Sequence, residues 1–254
     1  MSKEALIRGL RGLITVGFFA LFGLGALVLS YAILPFVWKK THALVVVRTV
    51  WRIIIQGFIL TGLIRIDRSA LTQPVRGAVI LANHPSLIDV VVLTALLPRT
   101  FSVAKSALRK HPFLWIVVRR VFLHDDAVLM EEAPELLKKG YNILIFPEGT
   151  RSPNPTTMHK WHRGGTQLAL RTQSPLQPIV LHYDYRMLAK GQSIWDMGTR
   201  PVKIKVVPLP QNPAPETLPT SFHSLAVKLT RQMTESIQSV LDTAAQGATI
   251  SSKV

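Results

Sequence analysis

From Gly12 to Trp38 the chain carries no charged residue. The stretch begins Leu-Ile-Thr-Val-Gly-Phe-Phe-Ala-Leu-Phe and runs on to Leu34-Pro35-Phe36-Val37. About 20 apolar residues suffice to cross the hydrocarbon core of a bilayer. A helix apolar on all sides for that many turns has little place inside a small domain. The stretch therefore predicts a membrane helix. Its length, and the lack of a small-residue cleavage site after a short apolar core, argue against a removed signal peptide. Lys3, Arg8 and Arg11 precede it while Lys39, Lys40, Arg48 and Arg52 follow, so the positive-inside rule does not settle its orientation. A second apolar segment, Ala43 to Ile64, carries Arg48 and Arg52 four residues apart. On a helix both fall on one face, which predicts a helix lying in the membrane interface with its opposite face in lipid.

At 254 residues the chain has room for one large α/β domain and an appendage. The expected division is 1–66 as membrane-anchoring helices and 67–254 as the catalytic domain. With no cysteine there can be no disulfide, no zinc-thiolate site and no acyl-cysteine intermediate. A formal charge of +16 attracts anions. Basic side chains interleaved with stacking aromatics are lacking, as is any nucleic-acid reading motif, so no nucleic-acid partner is expected. Beside a long apolar segment the surplus fits a protein held on an anionic bilayer surface.

From Ala78 onward short apolar runs alternate with helix-like stretches. Ala78 to Ala82, Phe101 to Ala104, Val121 to Leu123, Asn142 to Phe146, Gln177 to Leu181 and Val202 to Val207 read as buried strands. Asp89 to Leu97, Pro112 to Arg120, Ala127 to Lys139 and Arg163 to Thr172 read as helices between them. That alternation predicts an α/β fold with a mainly parallel sheet flanked by helices, preceded by a hydrophobic two-helix membrane anchor. Five prolines in the twelve residues 208–219 predict an extended connector. Beyond it, Phe222, Leu225, Leu229, Met233, Ile237, Val240 and Leu241 fall at helical spacing, predicting a C-terminal amphipathic helix over 221–245.

The run Ala78 to Ala82 ends directly in Asn83-His84-Pro85-Ser86-Leu87-Ile88-Asp89. In open α/β sheets ligands bind just beyond the carboxyl ends of strands. Pro85 bars His84 from helical geometry, and a helix starting at Ser86 or Leu87 brings Asp89 back beneath the imidazole. An aspartate on one ring nitrogen fixes the tautomer and leaves the other nitrogen to take a proton from a hydroxyl. The substrate's own hydroxyl then serves as nucleophile. Alone, the spacing also fits a histidine capping a turn with an aspartate on a helix surface. The strand Ile143 to Phe146 ends in a second turn, Pro147-Glu148-Gly149-Thr150-Arg151-Ser152. There Gly149 lets backbone N–H groups approach an anion, Arg151 offers a planar fork for phosphate or carboxylate, and Glu148 can hold Arg151 or a substrate hydroxyl. A plain surface turn with an exposed ion pair is the alternative.

These residues resemble the lysophospholipid acyltransferases of the glycerophosphate acyltransferase superfamily, which include the 1-acylglycerol-3-phosphate acyltransferases. Asn83 to Asp89 is similar to that family's first motif, with His84 as general base and Asp89 as its partner. Phe146 to Ser152 matches the third motif, and implies substrate-binding roles for Glu148, Gly149, Thr150 and Arg151, with Asn83 from the first. Lys105 resembles a family lysine near the acyl thioester, Lys160 to Gly164 the basic segment after the third motif, and Pro178-Ile179-Val180 the fourth motif. The second motif departs from the pattern. Aligned on Phe122, its glycine position is Arg119 and its phosphate-binding arginine position is Asp125, which repels a phosphate; Arg119 or Arg120 could substitute from the preceding turn. The resemblance implies a membrane-bound O-acyltransferase moving an acyl chain from acyl-CoA or acyl carrier protein to a lysophospholipid hydroxyl, foremost that of 1-acylglycerol-3-phosphate, in phospholipid biosynthesis. It implies no metal and no bound cofactor. The expected partners are membrane lipids, and the expected location is the cytoplasmic face of a bacterial inner membrane. Two other readings stay open: acylation of a phosphate-free acceptor such as an ornithine-type lipid, and a non-catalytic lipid-binding protein.

Overall fold

The computed structural model of the chain describes residues 2–104, 115–123, 126–214 and 221–251. Seven strands form one sheet in the order β1-β7-β6-β2-β5-β3-β4. They are β1 (Ile64–Asp67), β2 (Val79–Ala82), β3 (Thr100–Val103), β4 (Phe122–Leu123), β5 (Asn142–Ile145), β6 (Leu176–Tyr183) and β7 (Val202–Pro208). Every pairing is parallel except β6 with β7, which is antiparallel. The expected α/β class with a mainly parallel sheet holds. β2, buried at all four positions, sits mid-sheet between β5 and β6. A strand with neighbours on both edges and helices over it needs apolar residues throughout, which is why Val-Ile-Leu-Ala reads as an unbroken run.

Among the described residues seven α-helices accompany the sheet: α1 (Lys3–Val28), α2 (Lys40–Leu60), α3 (Asp89–Leu96), α4 (Trp115–Val121), α5 (Asp126–Lys138), α6 (Gly164–Arg171) and α7 (Phe222–Ser251). α1 runs on through a π turn, Leu29–Ile33, and a 3-10 turn, Leu34–Phe36, into which Pro35 fits because it lies in the first turn. The two N-terminal helices, Lys3–Phe36 and Lys40–Leu60, are long and apolar enough to cross a membrane.

The second apolar segment departs from expectation in two ways. Its greasy face is turned into the protein: Ala43, Leu44, Val47, Trp51, Ile55 and Phe58 are buried, packing α2 on α3 and α4. The helix also stops short of Ile64. Gly62 takes the left-handed φ of +69°, Leu63 N–H donates to the Phe58 carbonyl at 2.9 Å and Gly62 N–H to Ile59 at 3.0 Å. This double closure needs a glycine just past the helix end. The chain then turns into β1, a strand absent from the sequence expectation, which joins β7 in register from Ile64↔Val202.

α1 lies against α2 through the Phe18 and Phe58 rings, 4.7 Å apart. A Cβ on Gly57 would come 2.5 Å from the Phe18 ring, so the close approach depends on glycine. Nearer the N-terminus, the buried Arg11 guanidinium donates to four carbonyls, those of Gly62 (2.8 Å), Leu63 (3.2 Å), Met197 (3.3 Å) and Arg200 (2.8 Å). The outward positions Leu6, Leu10, Leu13, Leu21 and Leu24 remain exposed. On α6, Gly165 lets the helix sit directly on β2, since a Cβ there would come 2.5 Å from Leu81.

Candidate active site

β2, β5 and β6 run in the same direction, so the loops after Ala82, Ile145 and Tyr183 meet at one edge of the sheet. His84 stands there two residues past β2. Its Nδ1–H donates to Asp89 Oδ2 at 2.8 Å, and its ring stacks on Phe146 with centroids 4.3 Å apart and planes at 25°. The His84 side chain keeps about 20% of its surface exposed while Asp89 has none. In the neutral ring, a carboxylate holding the proton on Nδ1 leaves the second nitrogen as the acceptor. Among the described residues it has no hydrogen-bond partner.

α3 begins at Asp89 itself, as the reading of a helix over Asp89 to Leu97 predicts, so a turn and not a helix from Ser86 or Leu87 brings the carboxylate back to the ring. The intervening turn places Ser86 N–H 2.7 Å from Asp89 Oδ2. The other oxygen, Oδ1, accepts the Tyr183 hydroxyl at 2.5 Å. Three donors and a place in the first helical turn stabilise the buried carboxylate as an anion. Burial, and then the Asp89 charge, push the Tyr183 phenol well above its usual range, so it is a permanent donor. Tyr183 was missed because the strand was expected to end at Leu181; an unbroken apolar run followed by His-Tyr was the available signal.

The third-motif loop locks onto His84 through its backbone. Glu148 Oε1 accepts from His84 N–H at 3.0 Å and from the Ser152 hydroxyl at 2.6 Å. Oε2 accepts from His159 N–H at 2.8 Å, and Ser152 N–H donates to the His84 carbonyl at 2.7 Å. Glu148 is 3% exposed, and its bonds go to neither partner anticipated for it, Arg151 or a substrate hydroxyl. Arg151 donates instead to the Leu188 carbonyl at 2.8 Å, a carbonyl that Leu87 N–H also reaches at 3.2 Å. Gly149 has the left-handed φ of +63° that the turn demands, but its N–H closes that turn on Phe146 at 3.1 Å and is not free for an anion. The next two amides, of Thr150 and Arg151, have no partner among the described residues. Ser152, quoted in the motif but given no role from sequence, proves central to the junction.

Asn83 is buried and exchanges two bonds with Leu181, Nδ2 to O at 2.9 Å and N to Oδ1 at 2.8 Å. Its side chain extends the β2/β6 ladder one step beyond Ala82↔Ile179. Arg119 is exposed and Arg120 donates to the Trp38 carbonyl at 3.2 Å. Both precede β4, three strand spacings from β2, or about 14 Å across the sheet. Lys105 and Asp125 lie outside the described residues. The segment after the third motif returns to the site edge, where His162 N–H donates to the Pro147 carbonyl at 2.9 Å. No cluster of three or more metal-ligating side chains occurs among the described residues.

A family model described as Acyltransferase matches residues 63–182. The chain is 30% identical over 114 residues to a 1-acyl-sn-glycerol-3-phosphate acyltransferase of Cocos nucifera, covering 41% of this chain and 37% of that protein. It is 31% identical over 127 residues to a lyso-ornithine lipid O-acyltransferase of Pseudomonas aeruginosa, covering 47% of each. The chain thus spans under half the length of these two curated relatives. In fold it is similar to the crystal structure of the 1-acyl-sn-glycerophosphate acyltransferase PlsC from Thermotoga maritima, with a TM-score of 0.65 and 20% identity over 94% of this chain and 98% of that one. Residues 63–182, which include His84, Asp89 and the Glu148 loop, are therefore the part of the chain that is similar to the acyltransferase family.

Proposed function

We propose that the protein is a membrane-bound O-acyltransferase that moves an acyl chain from a thioester donor, acyl-CoA or acyl carrier protein, to the hydroxyl of a lysophospholipid, foremost 1-acylglycerol-3-phosphate. The single observation that carries this reading is the 2.8 Å bond between His84 Nδ1 and a fully buried Asp89, with the opposite ring nitrogen unpartnered at the carboxyl edge of the sheet. In the proposed step that nitrogen removes the proton of the acceptor hydroxyl as its oxygen attacks the thioester carbonyl. Asp89 stabilises the imidazolium that forms. The tetrahedral intermediate then collapses, the C–S bond breaks, and the thiolate leaves with the proton that His84 returns. The unpartnered amides of Thr150 and Arg151, with Lys105, are the candidate donors for the oxyanion. None of these roles requires a metal or bound cofactor.

Membrane attachment is supported by the outward apolar positions of α1 and by Trp38, Val45, Ile53 and Leu60, of which Trp38 and Leu60 are more than 80% exposed. Because α2 buries one face along its whole length, the pair lies along the body, and the reading is of two helices seated in one leaflet. A net charge of +16 favours the anionic, cytoplasmic leaflet of a bacterial inner membrane.

One observation favours a second acceptor. Asp125 replaces the arginine that the family's second motif places at the acceptor phosphate, and one relative is a lyso-ornithine lipid O-acyltransferase. The test is transfer by protein in lipid nanodiscs, with 1-acylglycerol-3-phosphate and lyso-ornithine lipid compared as acceptors. Transfer to the first is expected, and Asp125→Arg should raise it. Transfer only to the second moves the acceptor assignment, and transfer to neither refutes acyl transfer.

A further inference from the structure

The segment between β6 and β7, residues 184–201, lies at the same edge of the sheet as His84. β6 points toward that edge, and antiparallel β7 starts from it, with Tyr183 opposite Ile204. β1, parallel to β7, also starts there, so the end of α2 and the Arg11 region of α1 are brought to the site edge. Arg11 ties α1 to this segment through the Met197 and Arg200 carbonyls. One residue on, Gly12 is pressed against Trp195: a Cβ there would come 2.9 Å from the Trp195 carbonyl and 3.0 Å from its ring. At its other end the segment offers the Leu188 carbonyl to Leu87 and Arg151, one residue from each motif.

Between these ties the chain turns two large apolar side chains outward, Ile194 at 36% and Trp195 at 53% exposure, and Trp195 meets α1 at Gly12, a helix that itself exposes Leu6, Leu10 and Leu13. Arg186 and Lys190 are exposed on the same segment, while Arg200 is paired with Asp184; the one other acid of the segment is the exposed Asp196. Lys3 and Arg8 add positive charge from α1, against Glu4. An exposed tryptophan and isoleucine, tied to an apolar helix and accompanied by exposed cations, match the boundary of an anionic bilayer, where an indole suits the headgroup level.

We propose that Ile194 and Trp195 form a second membrane contact, which inserts into an anionic lipid surface alongside α1 and seats the His84 edge of the sheet at the level from which a lipid acceptor enters. This rests on the membrane attachment proposed above. The absence of cysteine makes a clean test available. The full chain, as Leu13→Cys and separately as Ile194→Cys, is nitroxide-labelled in nanodiscs containing phosphatidylglycerol, and its collision rates with oxygen and with an aqueous nickel chelate are compared. Both labels should favour oxygen several-fold, as positions in lipid do. Leu13 in lipid with Ile194 open to nickel overturns the second contact and leaves the attachment standing. Both labels open to nickel overturns the attachment as well. Exclusion of both probes at Ile194 means a protein covers it, a second copy of the chain foremost, and also overturns the proposal.

Discussion

Replacing Glu148 by glutamine separates two incompatible roles for that side chain. The carboxylate has three donors in place, His84 N–H and the Ser152 hydroxyl on one oxygen and His159 N–H on the other. A glutamine has one acceptor oxygen. If it serves His84 and Ser152, its NH2 faces His159 N–H donor to donor; the reverse orientation strands the other two. Hydrogen bonds to a charged group contribute about 1.5–3 kcal/mol each, so one lost bond and two weakened ones predict a loss of about 2–3 kcal/mol. For a chain of this size that is a fall in Tm of roughly 4–12 °C. His84 keeps its imidazole but its backbone anchorage weakens, which predicts a kcat about 10- to 100-fold lower with KM little changed. Thermal unfolding followed by circular dichroism and steady-state acyl transfer in nanodiscs measure both. An unchanged Tm with a large rise in KM refutes the reasoning and makes Glu148 a substrate ligand.

The other changes act nearer the base. Asp89→Asn should lower kcat by about 10²- to 10³-fold, less than loss of the imidazole, because it disturbs orientation and imidazolium stabilisation without deleting the base; the readout is single-turnover transfer. Tyr183→Phe should lower kcat several-fold with KM unchanged, since the Asp89 oxygen it serves loses its one donor there. The same variant tests the phenol's raised pKa. A proton held more tightly in the folded state stabilises in full below the unfolded value near 10 and is lost as pH rises through the folded value. Tm above pH ~10 should therefore fall less steeply in Tyr183→Phe than in the parent protein.

The dyad was legible in the sequence because it is local. A buried strand, a proline that bars the helix and an aspartate five residues on confine His84 and Asp89 to one turn, whatever surrounds them. The partners of Glu148 were not legible because they lie 64 positions back and 11 forward, and side-chain chemistry alone cannot distinguish a strut from a ligand. The backbone partners of Arg151 and Asn83 were hidden for the same reason: both offer donors, and each places one on a main-chain carbonyl, at Leu188 and Leu181. β1 was concealed because it is four residues long and half charged, Ile64-Arg65-Ile66-Asp67, although Thr61-Gly62 marked the helix end. Nor can hydropathy tell lipid from protein interior. Leu44, Val47 and Trp51 are as apolar as the exposed leucines of α1, yet they are packed on α3 and α4.

The most direct test is His84→Ala in lipid nanodiscs, with a thioester donor and 1-acylglycerol-3-phosphate, following acylated product by mass spectrometry alongside Tm and vesicle binding. Product should fall to the uncatalysed background while vesicle binding stays at the parent value and Tm stays close to it, because the His84 backbone still meets Glu148 and Ser152. Turnover near that of the parent protein would contradict the assignment of His84 as the base.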